Sequence, residues 1–426
     1  MYKKSVLKNG LTVVTCGMPS RRSVSLGIWI KAGGRYETRV NKGISHFLEH
    51  MLFKGSSKYS CREIKESIEG QGGSLNGFTS EEVTCYLVKV PAAKMNVGLD
   101  ILSDMVMRPS LPRSDFSREK AVILEELKMY KDLPQSYVHE LLDALLWPGH
   151  PLGMGIIGFE DSLDSLDRDD LRNYRDEHYV PANIVVSAAG GLDHSGFCRL
   201  AGRAFSGAGK GKKEPAGYLP VKGPDRPGPA FNLLRKDTEQ THIAMGFRAF
   251  HREHKLKYAS ALLHIILGAN MSSRLFHEVR EKRGLAYEIG TQLKRFHDTG
   301  AFIVHAGIDN GKVSKALEIV AAELRRIKER PVEKKELKRA KDYFLGQLML
   351  ALEDSMEQML FAGEAVTLGE GIRTYEEIAG DVSKVSSSEI KAAAREIFSR
   401  DKLRFAAIGA AVDNERQFSR LWPGLD

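Results

Sequence analysis

Two rhythms of apolar and polar positions run along this chain. Val24, Leu26, Ile28 and Ile30 recur at every second residue and predict a strand with one buried face. A run over 11–15 precedes it and predicts a partner strand. A similar pair returns over 231–234 and 241–247. Further on, each half repeats a strand and a helix, over 84–90 and 93–105 in the first and over 302–307 and 313–327 in the second. Each half then closes on a charged helix and an apolar strand. Asp193 and Asp413 end these two closing segments, 220 residues apart. The halves read as copies of one plan. Long helix-bearing connections between the strands predict an α+β fold of two homologous domains, each a largely antiparallel sheet packed with helices.

Between the copies, 206–229 holds Gly207, Gly209, Gly211, Pro215, Gly217, Pro220, Gly223, Pro224, Pro227, Gly228 and Pro229. Such a stretch neither propagates a helix nor sits inside a sheet. The expected domains are therefore 1–205, a linker over 206–229 that suits a hinge, and 230–426.

A helical rhythm marks the candidate chemistry. Ile44, Phe47, Leu48, Met51 and Leu52 follow the i, i+3, i+4 spacing of an amphipathic helix. At ~100° per residue, His46 and His50 lie about 40° apart on the other face, with Glu49 about 60° to one side. Two imidazoles one turn apart can bind one metal ion. Zinc lowers the pKa of water toward about 7, and a neighbouring carboxylate can take its proton. His-x-x-Glu-His is a zinc-peptidase order, the inverse of His-Glu-x-x-His.

A catalytic zinc takes three protein ligands, so a third must come from elsewhere. The predicted helix over 118–130 offers Glu119, Glu125 and Glu126. Glu119 and Glu126 share a stripe with Val122, Ile123, Met129 and Tyr130, whereas Glu125 falls on the far side with Lys128. Carboxylates on an apolar stripe are costly unless charge compensates them. Glu126 is the better ligand candidate, and Glu119, seven residues earlier, would support the site.

With these residues in place, the sequence resembles the pitrilysin/insulinase family of inverzincin zinc peptidases. The likeness rests on His46-Phe47-Leu48-Glu49-His50 with Glu126, on Gly33-Gly34-Arg35-Tyr36-Glu37, Asn76-Gly77-Phe78-Thr79 and Thr84-Cys85-Tyr86. It continues in Ser272-Ser273-Arg274-Leu275-Phe276 and in 280–287, from Arg280 to Tyr287. The size resembles the short, two-domain branch that includes mitochondrial processing peptidases and their bacterial relatives. The resemblance implies one zinc ion per chain on His46, His50 and Glu126, with Glu49 as general base. It places Asn76 on or beside an edge strand that pairs with an extended peptide substrate. It places Arg280 and Tyr287 on one face of a helix, holding the substrate carbonyl and developing oxyanion. It also implies two chains facing each other around an enclosed chamber, here a homodimer with sites completed across the interface. Two departures stand out: Leu267-Gly268-Ala269-Asn270-Met271 is no long glycine-rich loop, and Gly77 stands where Ala is more usual.

Composition adds exclusions. Apolar residues make up 42% and charged residues 28%, a globular balance that excludes a disordered chain. The net charge of +8 is spread out, and its densest cluster, Lys210, Lys212 and Lys213, has no interleaved aromatics. No nucleic-acid partner is expected. Cys16, Cys61, Cys85 and Cys198 form no CxxC pair, which argues against a thiolate zinc site or a disulfide framework. No apolar run reaches the length of a membrane span or a signal peptide, so a cytoplasmic protein without a membrane partner is expected. His251-Arg252-Glu253-His254 reads as a charged loop, and Ser272-Ser273 has no His/Asp partner for a serine nucleophile. The leading reading is a zinc endopeptidase of peptides or short unfolded segments. A non-catalytic core subunit of the same family, or an active subunit needing a different partner chain, stands as the alternative.

Overall fold

The computed structural model describes residues 2–207, 217–221 and 227–420. Most of the Gly/Pro linker and the Lys210–Lys213 cluster lie outside the described residues. The fold is α+β, built as two homologous domains around two separate sheets.

The first sheet contains β1 (Tyr2–Val6), β2 (Thr12–Gly17), β3 (Ser23–Ile30), β4 (Ser74–Thr79), β5 (Thr84–Pro91) and β6 (Ile184–Gly190). Its spatial order is β1-β2-β6-β3-β5-β4. Only the β2–β6 pair is parallel, with Thr12 opposite Val185. The second sheet contains β7 (Ala230–Arg235), β8 (Gln240–Ala249), β9 (Ala286–Arg295), β10 (Gly300–Asp309) and β11 (Arg404–Gly409). Its order is β7-β11-β8-β10-β9, again with one parallel pair, β11–β7. Setting β1 aside, the two sheets share one permutation, and β11 starts 220 residues after β6. This is the repeat of the sequence in three dimensions. β4 and β9, which close one edge of each sheet, add to the elements that periodicity alone predicts.

The strand β3 departs from expectation in an informative way. Val24, Leu26, Ile28 and Ile30 enter the core on one face as predicted. The other face is buried too: Trp29 packs with Val14, Val185, Met359, Ala362 and Val366. Its cover is the helix Ser355–Thr367, which comes from the far end of the chain. Ser25 and Ser355 hydroxyls meet at 2.9 Å, and Trp29 Nε1 donates to Ser187 Oγ at 2.8 Å. The approach is close enough that a Cβ at Gly363 would fall 2.1 Å from the Trp29 indole. A strand buried on both faces needs its polar positions small and hydrogen-bonded, and Ser25, Gly27 and Ser187 meet that need.

The second sheet is covered in the reciprocal way. The helix Pro134–Leu146, from the first half of the chain, lays Val138, Leu142 and Leu146 against Ala244, Ile303, Ala406 and Ile408. Each compact unit thus takes one helix from the other half of the sequence. The first unit comprises 1–128, 154–219 and 349–373, and the second comprises 129–153, 220–348 and 374–426. Among the described residues, no helix is long and apolar enough to cross a membrane.

Candidate metal centre

The His-x-x-Glu-His segment lies on the helix Ile44–Leu52. Nine residues are too few for a stable isolated helix, so packing must hold it. Phe47, Leu48, Met51 and Leu52 are fully buried, at about 1.5–3 kcal/mol each. Glu37 supplies the N-terminal cap from outside the helix. Its carboxylate accepts from Gly43 N–H at 3.1 Å and Ser45 N–H at 2.8 Å, and pairs with buried Lys42 at 3.2 Å. Gly43 enters at φ +95°, and a Cβ there would lie 2.3 Å from the Ile157 carbonyl oxygen. Only glycine takes that turn without strain.

The third acidic candidate comes from the helix Arg113–Asp132. Its buried stripe is Glu119, Ile123 and Leu127. Val122 and Met129 are exposed, so the buried face is rotated from the expected one and Glu126 sits at its edge. Glu125 points outward and pairs with Lys128, as read from the sequence.

These two helices bring His46, His50 and Glu126 together. One ligand atom from each lies within 4.8 Å of the others. Glu126 Oε2 stands 3.9 Å from His46 Nε2 and 3.7 Å from His50 Nε2. Those separations are too long for hydrogen bonds. They sit just above the spacing of about 3.3 Å that two donors show on one tetrahedral zinc ion. Burial, then His50, holds the His46 imidazole down to about 3, which keeps it neutral and its lone pair available. His50 Nδ1–H donates to Glu119 Oε2 at 3.3 Å, leaving Nε2 to face the cluster. Glu119 is itself balanced by Lys54 Nζ at 2.5 Å. Two imidazoles and a carboxylate are a donor set that suits a catalytic zinc ion.

Glu49 lies beside this cluster, 8% exposed. Thr79 Oγ, at the end of edge strand β4, donates to Glu49 Oε2 at 2.6 Å. Burial pushes the Glu49 carboxyl up, while Thr79 and His50 pull it down and Glu126 pushes it up again. The net rise makes it a stronger base than an exposed carboxylate. A Cβ at Gly77 would come within 3.3 Å of Glu49 Oε1 and 3.0 Å of the Phe53 ring, so this strand's backbone runs close against the base. Asn76 lies on the same edge strand, and its Oδ1 accepts from Gly77 N–H. Motif reading did not single out Thr79, Glu37 or Lys54. Glu37 and Thr79 stand in the quoted motifs, but only the fold aims their side chains at the helix.

Arg280 and Tyr287 belong to the second unit and come together there. Their setting differs from the single helix face expected. Arg280 lies on a loosely wound helical turn, Phe276–Glu281, which Gly284 ends at φ +57°. Tyr287 follows on β9 and is 75% exposed. The guanidinium carbon sits 4.7 Å from the Phe276 ring centroid and 5.0 Å from that of Tyr287. Glu278 is engaged by Lys282 and Arg283, so it does not neutralise Arg280. His251–His254 is a loop, with His254 stacked on Phe250 at 4.1 Å. All four cysteines are free thiols.

Comparison with known proteins fits this geometry. Residues 12–159 match the model of the insulinase family (peptidase family M16), and 165–344 match that of the peptidase M16 inactive domain. The uncharacterized zinc protease YmxG of Bacillus subtilis is 36% identical, over 94% of this chain and 97% of its own length. An uncharacterized zinc protease of Streptomyces coelicolor is 34% identical, over 98% of this chain and 91% of its own. Among solved structures, a protease from Helicobacter pylori superposes with a TM-score of 0.90 at 22% identity, over 96% of this chain and 99% of its own. A peptidase M16 inactive domain from Pseudomonas fluorescens gives 0.87 at 20% identity, over 97% and 99%.

Proposed function

The chain belongs to the insulinase family of peptidases, M16, and we propose that it is a zinc-dependent endopeptidase of peptides or short unfolded segments. The observation that carries this reading is the convergence of His46, His50 and Glu126 beside a buried, hydrogen-bonded Glu49. A bound zinc ion supplies Lewis acidity there, polarising a carbonyl and acidifying water. Glu49 does the proton work. Thr79 occupies Oε2 and fixes the carboxylate, so Oε1 is the oxygen that takes a proton from the attacking water and returns it to the leaving amine. Glu119 orients His50, and Lys54 holds Glu119 in place.

Three further assignments rest on the family likeness. Asn76 and its edge strand would pair with extended substrate, as an unpaired strand edge can. Arg280 and Tyr287 would bind the carbonyl oxygen as cation and phenol donor. The assembly would be a homodimer enclosing a chamber, since this one chain carries both motifs.

Metal analysis and peptide cleavage test the reading together. The purified chain is expected to carry about one zinc ion. Chelation should abolish cleavage of quenched-fluorescent peptides, and added zinc should restore it. Absence of zinc after metal-replete purification would favour the non-catalytic core subunit instead. Solution mass of the active chain alone decides between homodimer and mixed assembly.

A further inference from the structure

Ser272, Ser273 and Arg274 have no part in the zinc chemistry proposed above, yet they line a cavity of about 620 Å³ inside the second unit. The cavity lies between this segment, the end of the helix Val313–Glu329 and the start of the helix Lys334–Ala351. Only Met271 and Pro331 among its lining residues are apolar.

Its charges sort into two groups. Arg274 is locked in the wall, with Nε and Nη2 donating to Glu336 at 2.9 and 2.6 Å and Nη1 3.8 Å from Glu323. Arg326 lies 3.3 Å from Glu323. Glu278 is held by Lys282 and Arg283, which are not in the lining. These pairs cancel. Arg330, Lys335 and Arg339 line the same cavity, are exposed, and form no ion pair among the described residues. Among the described residues, Glu333 is the one lining carboxylate without an ion pair, and it alone offsets them. Three cations against one anion leave an excess of about two positive charges. In the wall, Ser273 is 2% exposed and its Oγ, like Glu323 Oε2, has no hydrogen-bond partner among the described residues. A buried hydroxyl without a partner is uncommon and points to a missing one.

We propose that this cavity binds a small phosphate-bearing ligand with at least two negative charges. Arginine forks match phosphate oxygens, and the Ser273 hydroxyl supplies a neutral donor at the same wall. The near absence of apolar lining disfavours a ligand with much hydrocarbon, and the volume suits a small molecule. The site is separate from the zinc ligands in sequence and stands or falls independently of the peptidase reading.

Calorimetric titration of the full-length Glu49→Gln chain with inorganic pyrophosphate tests it, because no turnover is needed. Saturable binding at about one site per chain is expected, and it should weaken at least about tenfold in the Arg330→Ala/Arg339→Ala double variant. Both side chains are exposed, so the fold should survive, and an unchanged thermal transition in that variant checks this. Ser273→Ala should weaken binding by a smaller factor. Lys338→Ala, on the same helix but paired with Asp342 outside the cavity, should leave it unchanged. A parallel titration with a phosphoserine peptide separates a free small phosphate from a phosphorylated chain. Tighter binding of the peptide would overturn the small-ligand assignment. No saturable binding of pyrophosphate, or equal affinity in the double variant, would overturn the site itself.

Discussion

The two copies of the repeat share one strand permutation but differ in what their helices carry. In the first, the helix Ile44–Leu52 lies against edge strand β4, and Glu49 meets Thr79 at 2.6 Å. In the second, the helix Lys257–Leu267 lies against edge strand β9, and His264 Nδ1 meets Thr291 Oγ at 2.7 Å. Both copies hold a titratable side chain against a strand threonine. The metal set is another matter. Aligning the first residues of the helices Arg113–Asp132 and Lys334–Ala351 sets Ala340 and Gln347 against Glu119 and Glu126. The second copy has one histidine on its helix and no carboxylate at either place. The fold supplies a helix packed on a sheet edge. The chemistry proposed for the first copy rests on His46, Glu49, His50 and Glu126, a set that the second copy does not carry.

The largest effect should come from the ligands. His50→Ala removes one donor of three and should cost zinc binding and at least about 10³-fold in peptide cleavage. Zinc content by metal analysis, with the thermal transition as a folding control, reads this directly. Retained zinc and activity would dissolve the distinction between the copies.

Next comes the support behind His50. Glu119→Gln keeps the shape but removes the charge that His50 and Lys54 face. Metal affinity should fall by about 10–100-fold in competition with a chelator. Thr79→Val should lower kcat by about tenfold with KM little changed, because it frees the base without touching a ligand. Thr79→Ser should restore most of it. An equal loss in both variants would assign Thr79 to strand packing instead.

The smallest catalytic effect belongs to the second copy. His264→Gln should change cleavage at neutral pH by less than about twofold. Its signature is in stability. Burial, with Arg295 and His305 nearby, holds His264 down to about 4, against an ordinary value of 6.5. Above pH 6.5 neither folded nor unfolded chain is protonated there. As pH falls from 6.5 toward 4 the unfolded chain takes up the proton first, so stability is lost. The loss is about 2 kcal/mol at pH 5 from this group. Urea unfolding at pH 7 and pH 5 should show wild type losing that much more than His264→Gln.

Much of this was legible in the sequence, and the reasons differ by element. Periodicity exposes a strand or helix when one face is buried, which made β3 and the helix Ile44–Leu52 readable. It could not show that β3 is buried on both faces, because the covering helix Ser355–Thr367 lies more than 300 residues away. Glu126 was readable from helical spacing, yet the true buried stripe runs through Ile123 and Leu127 and leaves Val122 exposed. A wheel drawn on one helix cannot know the angle at which its neighbours pack. The family resemblance implies one helix face for Arg280 and Tyr287, whereas Tyr287 stands on β9. Gly284, with φ +57°, ends the helix between them. Thr79, Glu37 and Lys54 were not legible as site residues, since polar side chains at strand ends and loops carry no periodic signal.

The central claim is that Glu49, held by Thr79 beside three zinc ligands, performs the proton transfer of peptide hydrolysis. Cleavage of quenched peptides by zinc-loaded Glu49→Gln, set beside wild type, tests it most directly. The account predicts a folded variant with full zinc content and cleavage reduced by at least about 10³-fold. Undiminished cleavage by that variant would contradict it.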